Sequence, residues 1–409
     1  MIGDGWDNEP SVRPGACEAP EAGGKPTRRR VAVVTGSRAE FGLLKPVMRA
    51  VLHHPELELL CIAAGSHLIQ PAETFREIKA AFEVADSIPM QVAGRTGRYE
   101  DAEALGRGVG RFARSFDRLR PDWVVVLGDR IEAFAAASAA AVGGFPLAHI
   151  HGGDRAEGIA DESMRHAISK LANLHFAATP ASAERLVRMG ERPTHIHITG
   201  SPAVDDIGRI APLDDSAFQE LGSPEVVFLF HPVGRHAEIE EAAAMSVLDG
   251  VLKDRDGRPA GVKILALHPN FDSGRDGICR AIANTKVNAR THLPREMFVG
   301  LLRRLAANLG DRAGVLVGNS SAGLIEAAVL KLPAVDVGPR QAGREHASNV
   351  IHCAESAQAV REAVRQARAM NRSDIVHPYG DGRAGERIAD LLSLVDPADA
   401  AMRRKLNTY

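Results

Sequence analysis

Short apolar runs alternate with longer stretches of helical period along most of this chain. Val31-Ala-Val-Val-Thr35 is β-branched, stops at Gly36 and reads as a buried strand. A helix pattern follows from Phe41 to about His53, then a strand-like run over Glu58–Ala63. Helical periodicity covers roughly Pro71–Phe82 and Asp101–Leu119. Trp123-Val-Val-Val-Leu127 is the next clear strand, closed by Gly128. Helix Ile131–Val142, strand Leu147–Ile150, helix Asp161–Ala172, strand Leu174–Ala178 and helix Ala181–Met189 complete the first series. Turn residues gather over Ser201–Ser223, and a second series begins. Its strands are predicted at Val226–Phe230, Val262–Leu267 and Gly314–Val317, with a further strand-like segment before Gly338. Its helices are predicted at Ala237–Leu252, Pro294–Ala307, Ala322–Leu330 and Ser356–Met370. A last periodic helix covers Gly385–Val395.

Strands alternating with helices imply parallel βαβ units. The expected fold class is therefore α/β, with two Rossmann-like domains facing a cleft. The predicted boundaries are a disordered tail over 1–29, an N-terminal catalytic domain over 30–205 and a nucleotide-binding domain over 206–385. The segment 386–409 is expected to pack its helix back on the first domain. Open parallel sheets bind ligands beyond the carboxyl ends of their strands, so the post-strand segments are where chemistry is sought.

Composition narrows the class. The chain has 409 residues, 45% hydrophobic and 25% charged, with net charge −2, which suits a globular protein of two or three domains. It lacks the basic footprint of a nucleic-acid binder, and 4% aromatics argue against a base-stacking surface. No apolar run approaches a membrane span, and the first thirty residues have no apolar signal core. The 4 cysteines are scattered without a CxxC pair, which fits a reducing cytoplasm.

After the first strand, Gly36-Ser-Arg-Ala-Glu40 opens a helix whose N–H groups and Arg38 would attract an anion; an ordinary βα turn explains it as well. After the third, Gly128-Asp-Arg130 puts Asp129 either at the cleft or at a helix cap, with Arg130 suited to phosphate. His149-Ile-His-Gly-Gly-Asp154 follows. Asp129 and Asp154 leave adjacent strand ends, and two close carboxylates suit acid and base roles. The HxH pair would need a third ligand for metal, and none stands at a recognisable spacing, so no metal or cofactor is expected.

Asp161-Glu-Ser-Met-Arg-His166 begins a helix. At i,i+4 spacing Asp161 faces Arg165 and Glu162 faces His166. Helix-terminal acids and i,i+4 pairs are common, yet Asp154, Asp161, Glu162, Arg165 and His166 fall within thirteen residues. In the second half, His231 follows a strand. Gly318-Asn-Ser-Ser places Ser320 and Ser321 as helix caps beside a phosphate, with Glu326 one turn on, facing ribose hydroxyls. Arg340 and Arg344 follow Gly338. Several cations converging on one cleft indicate a diphosphate.

These stretches, GSRAEFG (36–42), LGDR (127–130), HIHGGD (149–154), DESMRHAISKL (161–171), HPV (231–233), HLPRE (292–296), GNSSAGLIEA (318–327) and RQAGRE (340–345), stand together in an order that resembles the hydrolysing UDP-N-acetylglucosamine 2-epimerases. The resemblance spans roughly Val31–Val395 and implies a fold similar to type-B glycosyltransferases. It implies that UDP leaves by anti elimination as a base removes the proton at the second sugar carbon, and that the glycal is then hydrated to a free 2-epimer such as N-acetylmannosamine. Transferred by position, Asp129, Asp154, Asp161 and Glu162 become acid/base candidates, oriented by Arg165 and His166. His231 would assist diphosphate departure. Arg38, Arg130, Ser320, Ser321, Glu326 and Arg340, with Arg344, would hold the nucleotide sugar. The resemblance also implies a homodimer or homotetramer. The chain differs from the usual pattern in Asp154, where Glu is common, in Leu43, where Lys is frequent, and in Gly234. These differences bear on sugar specificity more than on reaction class. Two other readings are a glycosyltransferase of the same fold and a non-catalytic nucleotide-sugar binder.

Overall fold

The computed structural model describes residues 28–408 except 70–73, 96, 156–160 and 271, and gives only the backbone of residues 161 and 311. Most of the tail predicted over 1–29 lies outside the described residues.

Seven parallel strands form the first sheet: β1 (Arg29–Thr35), β2 (Leu57–Ala64), β3 (Val84–Ile88), β4 (Trp123–Leu127), β5 (Leu147–Ile150), β6 (Leu174–Ala177) and β7 (Ile196–Ile198). Their spatial order is β3-β2-β1-β4-β5-β6-β7. Six parallel strands form the second: β8 (Val226–Leu229), β9 (Ile264–Leu267), β10 (Asn288–Arg290), β11 (Val315–Gly318), β12 (Ala334–Val337) and β13 (Val350–Cys353), ordered β10-β9-β8-β11-β12-β13. In both sheets the order reverses beside the first strand, between β1 and β4 and between β8 and β11. Such a switch point leaves a crevice at the carboxyl ends of the strands.

Strand alternation sorts the core. In β1 and β4, Val31, Val33, Trp123 and Val125 pack on one face with the helix Arg38–His53. Ala32, Val34, Val124 and Val126 pack on the other, against helices Arg98–Leu119 and Ile131–Gly143. A strand buried on both faces reads as a continuous apolar run, which is why these central strands stand out in the sequence. The second sheet repeats the arrangement. Val226 and Phe228 face the helix Ala237–Leu252, while Val227 and Leu229 face the helix Arg295–Ala307.

The four strands that the hydrophobic pattern does not predict are β3, β7, β10 and β13, and these are the four sheet edges. Each is only partly buried and lacks an apolar run. The helix Arg275–Thr285 is likewise unpredicted. The predicted helix Ala322–Leu330 is in fact a short 3-10 turn, Ser321–Gly323, followed by one helical turn, Glu326–Val329.

The late helix Ala384–Leu394 lays Ile388, Ala389 and Leu392 into the first domain's core. The Asp205 carboxylate receives the backbone N–H groups of Ala384 and Gly385 at 3.0 and 2.6 Å, satisfying two donors that a helix start leaves unpaired. A Cβ on Gly385 would come within 2.9 Å of the Pro46 backbone, so glycine permits this close crossing. Among the described residues, no helix is long and apolar enough to cross a membrane.

Candidate active site

The turn after β4 aims Asp129 at the cleft. Gly128 has φ +71°, and His149 on the neighbouring strand holds the Gly128 carbonyl at 2.8 Å through Nε2. Burial pushes the His149 imidazole down to about 3, so it acts as a neutral donor here. The Asp129 carboxylate pairs with Arg165 instead of capping the next helix. Arg165 is almost wholly buried, and its Nη1 also donates to Glu162 Oε2 at 2.6 Å and to the Asp154 carbonyl at 3.2 Å. One guanidinium thus ties together three segments of the candidate site. Burial, aided by Arg344 and Arg340, pulls it down to about 9, which leaves it a cation at neutral pH.

Glu162 Oε1 lies 3.3 Å from His166 Nε2, the i,i+4 contact that the spacing predicts. The expected partnership of Asp161 with Arg165 involves a side chain outside the described set. The described partners of Arg165 are Asp129, Glu162 and the Asp154 backbone.

Asp154 is held differently. Its carboxylate accepts from His151 Nδ1 at 2.7 Å, Ser182 Oγ at 2.8 Å and Arg344 Nη2 at 3.0 Å. Burial opposes its ionisation, but His151 and Arg344 outweigh that and hold the carboxyl well below its usual range. Asp129 and Asp154 do leave neighbouring strand ends, but Arg165 stands between their segments. His151 has φ +66° and lies beyond β5, so the strand alternation that would align it with His149 has already ended. Its Nε2 contacts Ser201 Oγ at 2.9 Å. Both nitrogens of His149 and of His151 have protein partners, which accounts for the HxH pair without a metal.

Gly153 makes the sharp turn at φ +77°, and a Cβ there would lie 2.2 Å from the Ser182 carbonyl oxygen. Gly153→Ala is expected to destabilise the protein by about 2–3 kcal/mol, from left-handed strain plus a clash with backbone. Thermal unfolding of the variant checks this, and an unchanged transition would contradict the turn.

The second domain presents His231 beyond β8. Asn319, beyond β11, clasps it through its backbone: His231 N donates to Asn319 Oδ1 at 2.7 Å and Asn319 Nδ2 to the His231 carbonyl at 2.8 Å. The Asn270 N–H donates to His231 Nδ1 at 3.2 Å. Because that nitrogen accepts, the ring proton sits on Nε2. Burial, then Arg340, pushes this imidazole down to about 3. Arg130 reaches across from the first domain and pairs with Asp272 at 2.8 Å. Arg340 anchors to the Asn319 carbonyl at 3.2 Å.

The remaining predicted residues have partners of their own. Arg38 shares its surroundings with Glu77, His67 and His292, and burial lowers its guanidinium. The N–H groups of Gly36 and Ser37 both donate to Glu40 Oε2 at 2.9 Å, completing a capping box. The anion reading of this turn therefore loses two of its donors. Burial and the nearby Glu132 raise the Glu40 carboxyl to about 7. Ser320 caps a 3-10 turn, so the long-helix dipole invoked for phosphate does not exist there. Glu326 Oε1 pairs with Arg295 Nη1 at 3.3 Å.

The sequence reading weighed His151 only as half of a metal-binding pair and gave Ser182, Asn319 and Asp272 no role. Asp272 and Asn319 follow strands, so the strand-end rule would have found them. Ser182 carries no such signal, because its contact with Asp154 arises only from packing.

The facing switch points, with buried cations between them, define the two-domain α/β class built like type-B glycosyltransferases. Solved epimerase structures share it. The fold superposes on a UDP-GlcNAc 2-epimerase from Methanocaldococcus jannaschii, in complex with UDP-GlcNAc and UDP, with a TM-score of 0.73 at 18% identity, over 89% of this chain and 99% of that one. The chain belongs to the UDP-N-acetylglucosamine 2-epimerase family, whose pattern matches residues 49–393. It is 35% identical to a hydrolysing UDP-N,N'-diacetylbacillosamine 2-epimerase of Legionella pneumophila, across 93% of this chain and all of that protein. It is 31% identical to a UDP-N-acetylglucosamine 2-epimerase of Neisseria meningitidis serogroup B, across 89% and 95% of the two chains.

Proposed function

We propose that this protein is a hydrolysing 2-epimerase acting on a UDP-linked acetamido sugar, UDP-N-acetylglucosamine or its 2,4-diacetamido relative, and releasing UDP and the free 2-epimer. The observation that carries the reading is the Arg165 junction, which holds Asp129 and Glu162 opposite a second-domain wall formed by His231 and Arg340. A weakly acidic C–H needs a positioned base, and a departing diphosphate needs cations and N–H donors.

In the first step the C2–H bond breaks and its electron pair forms the C1=C2 bond. The C1–O bond to the diphosphate breaks and UDP leaves. In the second step water adds to C1 of the glycal, and a proton is delivered to C2 from the opposite face. Asp129, Asp161 and Glu162 are the groups assigned to these proton transfers, with Arg165 and His166 orienting them. Asp154 is better suited to positioning than to proton exchange, since three donors keep its carboxylate ionised. His231, neutral with its proton on Nε2, donates to the leaving diphosphate. Arg38, Arg130, Ser320, Ser321, Glu326, Arg340 and Arg344 are assigned to the nucleotide sugar.

The relatives' epimerase names and the carboxylates around Arg165 favour this reading over a glycosyltransferase or a non-catalytic binder. Incubation with each UDP-acetamido sugar in D2O, without acceptor, tests it. Free sugar carrying deuterium at C2, together with UDP, is the expected product. No turnover of any member of the panel would overturn the reading.

A further inference from the structure

Asp272 lies just beyond β9, in a segment to which neither the sequence motifs nor the proposed chemistry assigns a task. Its carboxylate is nonetheless in the middle of the cations. Arg130 Nη1 contacts Asp272 Oδ1 at 2.8 Å across the domain boundary, and both side chains are about three-quarters buried. Asn270 Nδ2 donates to Asp272 Oδ2, while the Asn270 backbone donates to His231. Burial works to raise the Asp272 carboxyl, but Arg130, Arg340 and His231 together hold it below the usual range. The same three groups are assigned to the diphosphate above. An internal carboxylate and an external phosphate therefore seek one set of partners.

We propose that Asp272 competes with the nucleotide's diphosphate for Arg130, so that binding exchanges an internal ion pair for an external one. This rests on the diphosphate assignment of the proposed function. Two physical consequences follow. A largely buried guanidinium is costly unless counter-charges face it, and Asp272 at 2.8 Å is a closer one than the buried Glu132 at 3.8 Å, so it offsets part of that cost whenever no phosphate engages Arg130. The same contact joins the two domains, so a nucleotide that takes Arg130 also releases a cross-cleft latch. UDP carries about one negative charge more than UMP at neutral pH and so displaces a single carboxylate more readily, which gives the site a preference for UDP over UMP. When UDP leaves, Asp272 recaptures Arg130 and favours release.

Calorimetric titration of the full chain with UDP tests this, comparing wild type with Asp272→Asn and with Asp272→Ala. Both variants are checked for folding by circular dichroism. Removing the competing charge is expected to tighten UDP binding by roughly tenfold, the scale of close charge-pair coupling. In an Arg130→Met background the same change is expected to have less than about a threefold effect, which a merely structural role for Asp272 would not produce. Weaker or unchanged UDP binding in the folded variants overturns the proposal. So does an undiminished gain without Arg130. If neither aspartate variant folds, the UDP/UMP affinity ratio of the wild type decides, and a ratio near one counts against competition. Failure of wild type to bind UDP at all would instead sink the functional reading itself, and is thereby told apart.

Discussion

Asp129→Asn is expected to cut turnover by about a thousandfold or more while leaving UDP affinity within roughly threefold, the range that loss of a general acid or base produces. The asparagine keeps the shape of the side chain but neither takes up nor delivers a proton at neutral pH. The nucleotide's proposed holders are other residues, so binding is expected to persist. The change also removes one anion from Arg165, whose side chain is 4% exposed. Glu162 still pairs with it at 2.6 Å, which limits the structural damage. Single-turnover assays beside UDP titration separate the two effects. Activity within tenfold of wild type would remove Asp129 from the proton transfers. Parallel loss of UDP binding would show instead that Asp129 holds the cleft together.

A second substitution, Asp154→Asn, is expected to act on stability first. The carboxylate is nearly fully buried and receives His151, Ser182 and Arg344. Without its charge the Arg344 guanidinium, 12% exposed, loses its buried counter-ion, which costs about 3–5 kcal/mol. The pH dependence has a definite sign. The folded-state carboxyl is depressed below its unfolded value of about 3.9, so its contribution is fully present above about pH 4. It is lost as pH falls below that, as the unfolded chain takes up the proton first. The gap between wild type and Asp154→Asn is therefore widest near neutrality and narrows as acid is added. Denaturant unfolding at pH 7 and at pH 3 measures it. A gap that is the same at both would show that the ionised form of Asp154 contributes nothing.

Asp154 also shows how a position can be conspicuous in sequence and still be misread. It is conspicuous as an acid in a glycine-rich turn and as a departure from the family's usual Glu. Its place beside Asp129 at adjacent strand ends makes acid and base roles for the two carboxylates the natural expectation. In three dimensions Arg165 intervenes, and Asp154 instead faces Arg344 from the other domain. That contact joins residues 190 positions apart and has no local signature.

The central strands were legible because burial on both faces demands unbroken apolar runs, and Trp123–Leu127 is such a run. The βα turns were legible because glycine marks the backbone conformations they need, as at Gly128 and Gly153. Local chemistry followed: the Glu162–His166 contact is set by helical spacing alone. The edge strands were not legible, since half-exposed strands such as Val84–Ile88 carry mixed residues and pair only because a neighbour is present. Nor was the wiring of the site. Arg165 between three segments and Ser182 against Asp154 depend on packing within the first domain, and Asp272 among the cations depends on how the two sheets face each other. Sequence thus determined the elements and most of the charged side chains at the cleft, because period and turn chemistry act over a few residues. Tertiary structure decided which charges meet, because partnership between segments that lie beyond the reach of one helix or turn, up to 190 residues apart, is settled only by packing.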